Sequence, residues 1–269
     1  MTMGADKPEP ALEHMDQIAA LARDRRLAVF LDFDGTLAPI VDRPELAGID
    51  PPTRNAVERL ARLCPVAVVS GRDVDDVRER AGIKGIHYAG SHGFDIVGPG
   101  GLHQQHAKGV EALPALDAAE RELRSALAGI DGALVERKRF SIATHYRLVA
   151  ESDWPAVENA VDQALRRHPG LRKRQGKKVF ELQPDIDWDK GAAVDWLLQK
   201  LGLDTPDVLP IYIGDDVTDE DALRALAGRG LGIVVLDEPR PTAAQYRLRD
   251  PDQVRLFLQA LAEACERRK

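Results

Sequence analysis

The feature that most constrains this chain is a set of short apolar runs, each ending near Asp, Ser or Gly and followed by a stretch of helical periodicity. The runs are Leu27–Leu31, Val66–Val69, Ile86–Ala89, Leu209–Ile213 and Leu231–Val235. A strand half in solvent alternates apolar and polar residues, whereas a run without alternation has to be covered on both faces. Helical periodicity is read at Thr53–Leu63, Val74–Arg80, Lys190–Leu201, Asp219–Ala227 and Pro251–Glu266. Buried strands alternating with helices are parallel βα units, so the expected fold class is α/β, with a doubly wound, mainly parallel sheet.

The pattern changes between Gly109 and Pro184. There a helix candidate, Ala112–Ala128, is followed by strand candidates Ala133–Lys138 and Ser141–Arg147, a helix at Trp154–Arg167, and strands at Leu171–Gln175 and Val179–Leu182. The order α-β-β-α-β-β reads as an α+β module inserted into the doubly wound domain. The expected organisation is an N-terminal tail or helix over 1–24, a first core half over 25–108, an inserted cap over 109–184 and a second core half over 185–269. Gly98–Gly101 reads as a hairpin tip. A length of 269 residues suits two domains of this kind.

Charge and composition remove several classes. With 37 Lys and Arg against 44 Asp and Glu, the net charge is −7, which argues against a protein held on nucleic acid by phosphate contacts or on an anionic membrane surface. No apolar run approaches the roughly 20 residues that span a bilayer. Residues 1–10 are polar, without an apolar signal segment, and 2 cysteines cannot form a disulfide framework, so a reducing cytoplasm is expected.

Chemistry concentrates at the ends of the apolar runs. In Leu31-Asp32-Phe33-Asp34-Gly35-Thr36, Asp32 and Asp34 sit at i and i+2 of extended chain and point to one side, at the carboxyl edge where doubly wound sheets bind ligands. Alone, the pair could be two solvated acids before a turn. A second run ends in Gly214-Asp215-Asp216 and delivers acids to the same edge, which favours a hard cation such as Mg²⁺ between them. Asp219 and Asp221, in Thr218-Asp219-Glu220-Asp221, read as helix-capping acids rather than metal ligands. Ser70, in Val69-Ser70-Gly71-Arg72, offers a hydroxyl for phosphoryl oxygens. Lys190, after Asp189 at a helix start, opposes the helix dipole and so suggests an anion to neutralise. Carboxylate nucleophile, second carboxylate, hydroxyl, Lys and metal together suit phosphoryl transfer through an aspartyl-phosphate.

These four motifs, in this order, resemble those of the haloacid dehalogenase superfamily of phosphohydrolases. Leu31–Leu37, Val69–Arg72, Ser91-His92-Gly93, Glu136-Arg137-Lys138, His145-Tyr146-Arg147, Phe180–Pro184 and Gly214–Glu220 narrow the resemblance to the trehalose-6-phosphate phosphatases, over nearly the whole chain after about residue 25. The resemblance implies that Asp32 accepts the phosphoryl group and that Asp34 protonates the sugar alkoxide, then activates water. It implies Mg²⁺ held by the Asp32 side chain, the Asp34 backbone carbonyl and Asp215, with Asp216 beside them, and phosphoryl contacts from Ser70 and Lys190. The expected substrate is trehalose 6-phosphate, with its sugar read by Glu136, Lys138, Arg147, Lys177 and Glu181 of the cap and by Arg72, His92 and Gly93 of the core. Lys178 could take the place of Lys177. Other readings stay open: a phosphatase of sucrose phosphate or mannosylglycerate phosphate, or a non-catalytic sugar-phosphate sensor. Receiver modules also use a phosphorylated Asp, a hydroxyl and a Lys, but lack both the second Asp of this spacing and a large inserted cap. His103 and His106 read as loop residues, Cys64 as a small buried one, Trp188 as packing, and Arg172–Arg174 with Lys177-Lys178 as a solvated strand face.

Overall fold

In chain order the strands of the computed structural model are β1 (Glu9–Pro10), β2 (Arg26–Leu31), β3 (Val66–Val69), β4 (His87–Gly90), β5 (Asp95–Gly98), β6 (Leu102–Gln105), β7 (Leu134–Lys138), β8 (Ser141–His145), β9 (Leu171–Gly176), β10 (Val179–Pro184), β11 (Val208–Gly214), β12 (Leu231–Val235) and β13 (Tyr246–Leu248). The helices are α1 (Met15–Asp24), α2 (Pro51–Ala61), α3 (Val74–Ala81), α4 (Ala107–Glu111), α5 (Leu113–Leu127), α6 (Trp154–Arg167), α7 (Lys190–Lys200), α8 (Glu220–Ala225) and α9 (Pro251–Glu266). The structure describes residues 7–41, 43–176, 178–238 and 240–267. The chain divides into two compact units, Met1–Gln104 with Trp188–Lys269, and Gln105–Asp187. The divisions lie a few residues outside the 109 and 184 read from the sequence.

The first unit is built on a sheet whose order is β1-β13-β12-β11-β2-β3-β4-β5-β6. Neighbours from β1 through to β4 run parallel, and β5 turns antiparallel to β4. From β2 the chain steps to β3 and β4 on one side, then returns at β11 on the other. A doubly wound sheet opens a crevice at its carboxyl edge where the winding reverses, here between β2 and β11.

The apolar run of β2 is explained by two helix layers. Leu27, Val29 and Leu31 join a core with Ile18, Val57, Leu60, Phe257 and Leu261, whereas Ala28 and Phe30 join the opposite core with Val194, Leu197 and Leu223. Fully burying each large apolar side chain stabilises the fold by about 1.5–3 kcal/mol, so one polar residue inside the run would break a helix layer away from the sheet. Helix starts are set locally: Asp50, Asp189 and Asp250 accept backbone N–H bonds from Thr53, Ala192 and Gln253.

The second unit is the expected α+β module. Its antiparallel sheet has the order β7-β8-β10-β9. Val135, Ile142, Phe180 and Leu182 form one core with Leu116 and Leu123 of α5 and Val157 and Val161 of α6. Alternation then puts Glu136, Lys138, Ser141, His145 and Glu181 on the other face of that sheet.

Short strands account for the differences from the sequence reading. β5 and β6 flank the Gly98–Gly101 turn as neighbours, but Leu102–Gln105 is mostly polar, and β13 is 3 residues long. Neither length nor periodicity marks such segments as strands.

Candidate active site

Adjacent strand ends of the first unit supply the candidate residues. β2 stops at Leu31, and the next residue, Asp32, donates its N–H to the Ile213 carbonyl at 2.9 Å, which fixes it at the end of the β2–β11 ladder. Gly35 then turns the chain with a φ of +79°, and a Cβ there would lie 2.1 Å from Oδ2 of Asp215. Only glycine lets the turn after Asp34 come this close to the acid that follows β11.

Lys190, at the first position of α7, binds two carboxylates. Its Nζ donates to Oδ1 of Asp32 at 2.7 Å and to Oδ1 of Asp219 at 2.6 Å. All three side chains are buried, at 3%, 6% and 0% exposure. Asp219 also accepts from the Tyr212 hydroxyl at 2.5 Å and from the N–H groups of Asp215 and Asp216 at 3.1 and 2.9 Å. Four donors occupy the four lone-pair positions of that carboxylate, so Asp219 is a rigid anchor for Lys190.

The electrostatics leave a deficit of positive charge. Burial, with the neighbouring carboxylates Asp219 and Asp215, raises the pKa of Asp32 well above the usual carboxylate range despite the pull of Lys190. Burial and Asp219 likewise push Asp215 up to about 7. Burial alone would lower the pKa of Lys190, but Asp219 and Asp32 outweigh it and hold the ammonium charged. Three carboxylates, two buried and that of Asp215 half-buried, stand against one ammonium, and with oxygens of all three within 4.8 Å of one another they fit a hard divalent cation. With Asp219 saturated, the carboxylates of Asp32 and Asp215 remain to hold it.

The other expected core residues fall as follows. Asp216, expected beside the metal, is exposed and caps the turn that opens α8, with Asp219 as its reciprocal partner. The capping box is thus formed by Asp216 with Asp219, and Asp221 lies in the first turn of α8. Ser70, buried at the end of β3, accepts from the Arg72 N–H at 3.1 Å. Arg72, expected as a sugar contact, instead grips both oxygens of Asp34 at 2.7 Å each, and Asp76 at 2.8 Å. Burial opposes its charge, yet the bonds to Asp34 and Asp76 hold its pKa above the ordinary arginine value. His92 has φ +57° and donates its N–H to the Ser70 carbonyl at 2.8 Å. Gly93, at φ +94°, has no room for a side chain: a Cβ would lie 2.2 Å from that of Ala193 in α7. The Ser91-His92-Gly93 loop therefore packs between the β3 end and the helix that carries Lys190.

Within the second unit, Glu136 and Glu181 both pair in register with Ala143 and share a face. Ser141 donates to Glu181 at 2.6 Å, and the Lys138 ammonium lies 3.7 Å from the same carboxylate. His145 lies 2.8 Å from Glu136 and, chiefly through that bond, holds the Glu136 carboxyl below its usual range. Arg147 stands on the exposed turn beyond β8, past the paired residues. Lys177 lies outside the described residues, and its alternative, Lys178, holds its ammonium over the Trp154 ring at 3.2 Å. Arg172, Lys173 and Arg174 are half-buried rather than a freely solvated face, and Lys173 donates to Glu158 at 2.9 Å and to Asp162 at 2.6 Å. His103 pairs with Asp95 at 3.0 Å, and His106 caps α4.

The residues missed from sequence are Tyr212 and Asp76. Tyr212 was legible only as part of an apolar run, and Asp76 only as a first-turn acid of α3.

Comparison with known proteins fits this arrangement. Residues 30–252 match the trehalose-phosphatase family, a span that contains every residue named above for the first unit's site and the second unit's sheet. The chain belongs to the trehalose-phosphatase family. It is 44% identical over 264 residues to a probable trehalose-phosphate phosphatase D of Arabidopsis thaliana, covering 94% of this chain and 72% of that one. It is also 49% identical over 261 residues to an uncharacterized glycosyl hydrolase of Mycobacterium tuberculosis, of which it spans 19%. The solved structure of a trehalose-6-phosphate phosphatase related protein shares the fold, with a TM-score of 0.78 at 24% identity, covering 90% of this chain and all of that one. As a trehalose-phosphatase family member the chain is a phosphatase. Among the described residues no helix is long and apolar enough to cross a membrane.

Proposed function

We propose that this phosphatase hydrolyses trehalose 6-phosphate to trehalose and inorganic phosphate, the last step of trehalose formation, through a phosphoryl group carried on Asp32. The observation that carries the reading is the buried grip of Lys190 on Asp32, with Asp215 alongside, at the switch point of the sheet. Lys190 fixes one oxygen of Asp32 and leaves the other directed to attack. The Asp32 oxygen would form a bond to phosphorus while the bond from phosphorus to the sugar oxygen breaks.

A sugar alkoxide is a poor leaving group and needs a proton, which Asp34 would donate. Both oxygens of Asp34 are held by Arg72 in this structure, so Asp34 must turn away from Arg72 to act as an acid. In the second half Asp34 takes a proton from water, and the hydroxide attacks the phosphoryl group, releasing phosphate and restoring the Asp32 carboxylate. Ser70 would hold a phosphoryl oxygen. Asp32 and Asp215, with the Asp34 carbonyl, would hold Mg²⁺, which when bound offsets the charge of the carboxylates against that of the phosphate dianion.

Glu136, Lys138 and Glu181 of the sheet, together with Arg147 and Lys177, would read the sugar hydroxyls, since charged groups make the stronger hydrogen bonds. Neither Cys64 nor Cys265 is in a disulfide, which suits a reducing cytoplasm. The test is phosphate release from a panel of sugar phosphates with and without Mg²⁺. Trehalose 6-phosphate should be the best substrate and only with the metal; a preference for sucrose phosphate or mannosylglycerate phosphate would displace the substrate, and no release from any would leave a sensor.

A further inference from the structure

Asp215 stands just past the end of β11, on the turn that leads into α8, and it faces two other carboxylates. Repulsion from Asp32 and Asp219 would push the loop outward unless its backbone were tied. The structure ties both backbone polar groups of the residue. The Asp215 N–H donates to Asp219 inside the Gly214–Glu220 motif. The Asp215 carbonyl accepts from Nη2 of Arg240 at 3.1 Å, a residue 25 positions away on the segment between β12 and β13.

Arg240 is itself anchored. Its Nη1 donates to Oε1 of Glu220 at 2.9 Å, and Oε2 of Glu220 accepts from the Ala243 N–H at 2.9 Å. Glu220 opens α8 and is only 4% exposed, so the acid end of this pair is sheltered from water, while the Arg240 side chain is 30% exposed. The guanidinium thus spans a buried acid on α8 and the carbonyl of the ligand residue with two nitrogens of one planar fork, whereas a lysine on a shorter, unforked stem would offer both acceptors a single nitrogen.

We propose that Arg240, held by Glu220, is a positioning residue for the divalent-cation site: it fixes the Asp215 peptide so that the carboxylate stays opposite Asp32 before any cation arrives. Without it the loop relaxes away from its like-charged neighbours, and the cation must reorder the loop on binding. Partners that orient metal ligands are worth about 10- to 100-fold in metal affinity. The inference rests on the metal reading above.

The experiment is calorimetric titration of Mg²⁺ into chelator-treated wild type, Arg240→Lys and Arg240→Ala, with the thermal midpoint of each metal-free protein measured alongside. Arg240→Lys should keep a metal-free midpoint near that of wild type, because Glu220 retains a cation, yet bind Mg²⁺ about 10-fold more weakly or worse. Arg240→Ala should lose as much affinity and also unfold earlier, because Glu220 is left buried without its partner. If either folded variant binds Mg²⁺ as tightly as wild type, the proposal falls, and a lowered midpoint with unchanged affinity would make Arg240 merely structural. If wild type binds no Mg²⁺, the metal reading falls and takes this inference with it.

Discussion

Replacing Lys190 by Met tests the electrostatic frame of the site. Met fills similar volume but removes the ammonium bonded to Asp32 and Asp219, at 2.7 and 2.6 Å, in a place where all three side chains are almost fully buried. Taking one partner from a buried ion pair leaves an uncompensated charge and costs about 3–5 kcal/mol. At about 2–4 °C per kcal/mol for a core of this size, the thermal midpoint should fall by about 6–20 °C. The loss should depend on pH. Asp32 has a folded pKa above its unfolded value, so the folded state gains by keeping the proton; that gain is present at low pH and disappears as pH rises through the folded value. Removing Lys190 raises that value further, so the variant's deficit should be small near about pH 5 and largest near about pH 8. Scanning calorimetry of both proteins in chelator, across that range, gives the answer. A deficit below about 1 kcal/mol at the upper end, or one that shrinks as pH rises, would refute the reasoning.

Mg²⁺ affinity should weaken as pH falls below about 7, because Asp215 then holds a proton that must leave before it can ligate, and calorimetric affinity independent of pH would contradict this. Gly35→Ala should cost at least about 1–2 kcal/mol from the left-handed backbone alone. Because the new Cβ would meet Oδ2 of Asp215 at 2.1 Å, it should also weaken Mg²⁺ binding; unchanged stability and affinity would show that the turn has room to spare. Glu181→Ala should lose about 10- to 100-fold in kcat/KM on trehalose 6-phosphate, the worth of one hydrogen bond to a charged group, and much less on p-nitrophenyl phosphate. Equal losses on the two substrates would assign Glu181 to the fold or the chemistry rather than to the sugar.

How much of this was legible depended on whether a residue's chemistry conflicted with its local setting. The β2 run was legible because Leu27, Val29 and Leu31 face one helix layer and Ala28 and Phe30 the other, which erases alternation. Lys190 was legible because an ammonium at a helix start is unfavourable without an anion, and the structure supplies two. Asp219 fits a capping position well, so nothing local marked it as the anchor of Lys190. Arg240 carried no signal, because its partners are brought to it only by the tertiary fold, and Asp76 showed only as a first-turn acid of α3. Arg72 looked available for substrate from sequence, and its two-oxygen grip on Asp34 emerged only with the geometry. The second unit's sheet was legible from its alternation, whereas the choice of Glu136 and Glu181 within it rested on family resemblance.

The most direct test of the central claim is a chemical trap of the phosphoryl group on Asp32. Trehalose 6-phosphate and Mg²⁺ are mixed with enzyme in single turnover and quenched with borohydride, which reduces an acyl phosphate but not a free carboxylate, and the digest is read by mass spectrometry. The account predicts homoserine at Asp32 in the peptide spanning Leu31–Leu37, none without substrate, and neither trapping nor turnover in Asp32→Asn. Reduction at Asp34 or Asp215, or phosphate release from Asp32→Asn at a rate near wild type, would contradict it.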